Sequence, residues 1–168
     1  MGFNLSGIVI NRNYKDNLGA LKKELNWNIE FAEEINFETA SANWKDEGIC
    51  DIYFSEQGTL LFVNMDMCIE PWMISDGNTF TFALSETSMA FNVNYCEGHK
   101  IKRSIMEVNG QRMIDEGEKL PVENTAGDTL EMIWAQLGVV LGKTFWSIEL
   151  DEKAYRYKFV TAKIIKMG

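Results

Sequence analysis

The chain has 168 residues, 46% hydrophobic and 24% charged, which suits one globular domain that needs no disulfide or metal staple. Its 16 Lys and Arg stand against 25 Asp and Glu, for a net charge of −9. That field opposes nucleic-acid phosphates and anionic membrane surfaces, and no apolar run approaches a membrane span, so neither nucleic acid nor membrane is an expected partner.

Residues 3–11 carry Leu5, Ile8, Val9 and Ile10 and read as a first strand. Asn13 then offers an N-cap, with Asp16 in the first turn and Leu18, Leu21 and Leu25 at helical spacing. Residues 28–35 return as a strand. Asn36 can cap a second helix, whose face holds Phe37, Ala40, Ser41 and Trp44. A strand follows at 49–55, a turn at Glu56-Gln57-Gly58, and a strand at 59–65. That last strand is apolar on both faces, which predicts a central position covered on both sides.

Residues 66–78 break the rhythm and read as an irregular, apolar-rich connection. A meander follows. Phe80, Phe82 and Leu84 alternate, then Phe91, Val93 and Tyr95, then Ile101, Arg103 and Ile105 on one face. Asn109-Gly110 is the strongest hairpin signal in the chain. Residues 115–128 read as an acidic loop. Asp128 and Glu131 have capping-box spacing, and Leu130, Ile133, Trp134, Leu137 and Leu141 make a long apolar stripe ended by Gly142. This should be the most buried helix. A final strand is expected over 153–165. The order predicts an α+β fold in a single domain spanning 1–168, with a curled, mainly antiparallel sheet covered by about three helices.

The residues that carry familiar chemistry are few. Cys50, Cys68 and Cys96 form no CxxC pair and read as reduced, buried thiols, which points to the cytoplasm. The single histidine, His99, falls in a turn between Gly98 and Lys100, a poor place to hold a catalytic base. No P-loop, Rossmann fingerprint, nucleophile elbow or EF-hand spacing occurs, and no cofactor or metal is expected. Asp66, Glu70 and Asp76, with Glu86 in the next turn, leave a carboxylate-based hydrolase as a third reading.

The most unusual stretch is 65–73, where Met65, Met67, Cys68, Trp72 and Met73 crowd a segment that reads as a loop. Methionine adapts to varied partners and tryptophan anchors interfaces. The leading expectation is therefore a non-catalytic interaction module, an adaptor or an inhibitor of the immunity type. It would bind a basic protein through an acidic, apolar-centred surface holding Asp66, Glu70, Trp72 and Asp76. The alternative is a small-ligand-binding domain whose pocket is lined by sheet aromatics such as Phe80, Phe91 and Tyr95.

Overall fold

A computed structural model describes residues 3–160, so positions 161–165 of the expected last strand lie outside the described residues. The strands are β1 (Asn4–Ile10), β2 (Ile29–Asn36), β3 (Ile49–Phe54), β4 (Thr59–Phe62), β5 (Asn78–Ser85), β6 (Ala90–Glu97), β7 (Lys100–Val108), β8 (Gln111–Gly117) and β9 (Lys153–Phe159). They form one open sheet in the order β2-β9-β3-β4-β1-β5-β6-β7-β8, and every pairing is antiparallel. The helices are α1 (Leu18–Leu25), α2 (Phe37–Ala40) and α3 (Thr129–Leu141). The fold is α+β and dominated by its sheet. No helix among the described residues is long and apolar enough to cross a membrane.

The strands at the centre are apolar on both faces, and both faces are covered. On one, Leu5, Val9, Phe62, Phe80 and Phe82 pack with Phe37 of α2 and with Ile133, Leu137 and Leu141 of α3. On the other, Ile8, Ile10, Ile52, Leu61 and Val63 pack with Leu21 and Leu25 of α1 and with Cys68 and Ile74. Each such side chain contributes about 1.5–3 kcal/mol of burial. β4 is buried at every residue, as a two-faced apolar strand should be. Gly7 of β1 marks a tight spot between central strands, since a Cβ there would run into the Leu61 carbonyl oxygen. All three cysteines are buried and free. Burial pushes the Cys68 thiol up to about 12.

Several local expectations shift. The cap of α1 is Asn17, whose side chain accepts from the Ala20 N–H at 3.3 Å. Asn13 instead closes a small turn on the Lys15 N–H at 2.8 Å, because the Tyr14 N–H is drawn to Thr59 on β4. Asn36 caps α2 as expected, but the helix lasts one turn. It stops because the following chain is pulled toward Asp51, a fully buried carboxylate that meets Lys45 Nζ at 2.8 Å and Arg156 Nε at 2.8 Å. Trp44 therefore leaves the expected buried stripe and stands exposed.

The 115–128 stretch is acidic and mostly exposed, but it is not all loop. β8 runs on to Gly117, and a 3-10 turn at Pro121–Asn124 swings Glu123 onto Arg103. Arg103 is 1% exposed and grips Glu123 through Nε and Nη2, both at 2.8 Å. Its Nη1 donates to Asp115 at 2.6 Å and to the Glu116 carbonyl at 3.0 Å. A bulge that skips Lys102 parts Arg103 from Ile101, so Arg103 and Ile105 point inward while Ile101 is exposed. At the β7–β8 hairpin Asn109 and Gly110 take φ of 51° and 80°, the left-handed pair that a type I′ turn requires.

Candidate functional site

The irregular segment after β4 begins with a 3-10 turn at Met65–Cys68 and runs along the α1 side of the sheet, in the direction of the strands. Asn64 starts it by capping the Asp66 N–H at 3.0 Å. Cys68 settles over Gly7, and Asn92 of β6 donates to the Ile69 carbonyl at 3.0 Å. Farther along, the Trp72 N–H donates to Thr81, while Thr79 donates to the Trp72 carbonyl at 2.6 Å. At the far end the Glu24 carboxylate of α1 accepts from both the N–H and the hydroxyl of Ser75, at 2.7 and 2.9 Å. Those two donors hold the Glu24 carboxyl below the usual range.

This path separates the four residues singled out from sequence. Asp66 and Glu70 are exposed at one end. Asp76 is exposed at the other, beside Arg12 at 4.0 Å. Trp72 lies between them, half-buried. Its ring meets Trp27 edge-on with centroids 5.1 Å apart, and its Nε1–H donates to the Met67 carbonyl at 2.6 Å. Trp72 thus pins the segment to the sheet, and the three carboxylates do not converge. Among the described residues no three His, Cys, Asp or Glu side chains gather to hold a metal ion.

The segment covers only part of its face. Beyond it, over β5, β6 and β7, lies an open groove of about 330 Å³. Its floor follows the sheet register: Ala83 pairs with Asn92, and Asn92 with Met106. A second row holds Ala90 and Val108. Met65 and Ile69 form one wall and Trp44 another. Trp44, Ile69 and Val108 are 40%, 44% and 42% exposed, which makes the surface continuous and apolar. The only charged lining residue is Glu107, and its carboxylate is held by Arg112 and Thr129.

Sequence reasoning located the segment but missed the groove beside it. In the sequence Trp44 reads as part of a helix face, and nothing local gives the neighbours of Met106. Only the strand order sets Met65, Ile69 and Trp44 against β6 and β7. No protein-family model, curated protein or solved structure matches the chain.

Proposed function

We propose that this protein is a non-catalytic interaction module that docks a basic protein partner in the groove over β5–β7. The observation that supports this reading is an exposed apolar trough walled by Trp44, Met65 and Ile69, with Asp66 and Glu70 exposed on the same wall. An amphipathic partner segment would set its apolar residues against Met106, Ala90 and Val108. Its Lys or Arg side chains would reach Asp66 and Glu70 at the rim. Buried tryptophan and methionine contacts would supply affinity, and the net charge of −9 would speed encounter with a basic surface.

The test is affinity capture with the intact chain at low and high salt, with Ile69→Lys as the control. Ile69 is exposed, so its replacement leaves the fold intact. One basic protein should be retained at low salt, released at high salt and lost with Ile69→Lys. Retention that ignores Ile69→Lys, or no retained protein, sinks the proposal.

A further inference from the structure

A second concavity, of about 310 Å³, lies on the opposite side of the sheet. It sits where α3 passes the ends of β6 and β7 and the chain leaves β8. One of its lining residues is out of place by type. Gln136 is 3% exposed, on the face of α3 that otherwise buries Met132, Ile133, Leu137 and Val140. Among the described residues its amide makes no hydrogen bond, and it borders the pocket. The amide is not among the sealed, partnerless polar atoms, which are Tyr14 Oη and Trp27 Nε1 among the described residues; it opens onto the pocket and offers a donor and an acceptor there. An apolar side chain would serve packing alone at this position.

The surroundings narrow what would pair with that amide. Leu120, Pro121, Val122 and Val139 give the pocket an apolar side. Tyr95 adds a phenol that burial and Glu97 push up to about 12; its hydroxyl donates to one oxygen of Glu97 at 3.3 Å, which leaves the other oxygen for a ligand. Two cations, Lys102 and Lys119, and two anions, Glu97 and Glu118, also line it. None of the four is in an ion pair among the described residues, although nine such pairs occur elsewhere. Lys102 is the residue that the β7 bulge inserts opposite Tyr95 and Cys96, and bulges commonly re-aim a side chain at a site.

We propose that this pocket binds a free α-amino acid with an apolar side chain. Its carboxylate faces Lys102 and Lys119, its ammonium faces Glu97 and Glu118, and its side chain lies against Leu120, Val122 and Val139. Gln136 supplies the neutral hydrogen bonds at the inner wall. A simple anion would be repelled by the two glutamates and a simple cation by the two lysines, whereas a zwitterion is matched by both. The size is at the low end of ordinary ligand pockets, room for one small molecule. The site is on the other side of the sheet from the docking groove and does not depend on it.

Titration calorimetry on the intact chain tests this with L-leucine, L-isoleucine, L-methionine and L-phenylalanine. Two half-analogues of leucine, 4-methylpentanoate and isoamylamine, carry one charge each. At least one amino acid should bind saturably, and both half-analogues at least about tenfold more weakly than it does. Gln136→Leu should weaken binding about tenfold, the worth of one hydrogen bond, while melting no lower than the parent. Lys119→Ala, at an exposed position, should weaken binding without touching the core, and Ile69→Lys should leave it unchanged. No saturable binding tighter than about 10 mM for any of the four overturns the proposal. So does equal binding of the half-analogues, undiminished binding by Gln136→Leu, or a Gln136→Leu variant that melts lower, which would make the amide structural.

Discussion

Replacing Arg103 with Met removes a guanidinium that is 1% exposed and strands the carboxylate of Glu123, whose side chain is 7% exposed. Asp115 is half-exposed and rehydrates when its partner goes, so its share is small. The cost therefore falls on Glu123. Breaking a buried pair from one side costs about 3–5 kcal/mol. For a chain of this size that lowers Tm by roughly 6–20 °C. The loss should depend on pH. Burial by itself raises the Glu123 carboxyl, but the Arg103 guanidinium and the Leu120 N–H outweigh it and hold it below its ordinary 4.5. A depressed folded value adds stability above the unfolded value, and that stability is lost as pH falls through the folded value. Urea unfolding followed by tryptophan fluorescence should therefore show a large gap between Arg103→Met and the parent at pH 7, shrinking as the pH falls below about 4.5. Adding Glu123→Leu to Arg103→Met should recover most of the stability, because an apolar pair of similar volume leaves no orphaned charge. A loss under about 1 kcal/mol at pH 7, or an equal loss at pH 7 and pH 3, would refute the reasoning.

Three further outcomes follow from the packing. Gly7→Ala drives a methyl into the Leu61 carbonyl between central strands and should cost about 1–3 kcal/mol or more, read as a fall in Tm. Asp51→Asn leaves Lys45 and Arg156 facing a neutral amide in the interior and should cost about 3–5 kcal/mol by urea unfolding. Trp72→Phe keeps the edge-on contact with Trp27 but removes the bond to the Met67 carbonyl. It should cost about 1 kcal/mol globally and speed amide exchange in 65–77 more than in β1, and uniform exchange would show that Trp72 does not pin the segment.

Much of the framework was legible because local chemistry agreed with the fold. The Asn109-Gly110 turn, the Asn36 and Asp128 caps, and the two-faced apolar strand at Thr59–Phe62 are decided within a few residues. What failed was decided at long range. The choice of Asn17 over Asn13 as cap turns on Thr59, far along the chain. The acidic stretch 115–128 reads as plain loop because nothing local shows that Glu123 and Asp115 meet a buried Arg103 across a bulge. Of the four residues singled out for a partner site, Asp66 and Glu70 share one end of their segment, Trp72 lies against Trp27, and Asp76 sits by Arg12. The one overlooked signal in plain view was Gln136, a polar residue on the apolar stripe of α3.

The strand order has a consequence for how the chain can fold. β2 touches the sheet only through β9, and β9 slots between β2 and β3. Ile29–Asn36 therefore emerges early in synthesis and cannot take its place until Lys153–Phe159 has emerged as well. Until then β3 is a bare edge, and the apolar side chains of Phe31 and Ile35 have no strand beside them. This pairing closes the longest loop in the sheet, and long loops are slow to close. The last strand acts as a latch: a nascent chain halted before it would hold a seven-stranded core with an unguarded edge, the form most prone to pair with its neighbours.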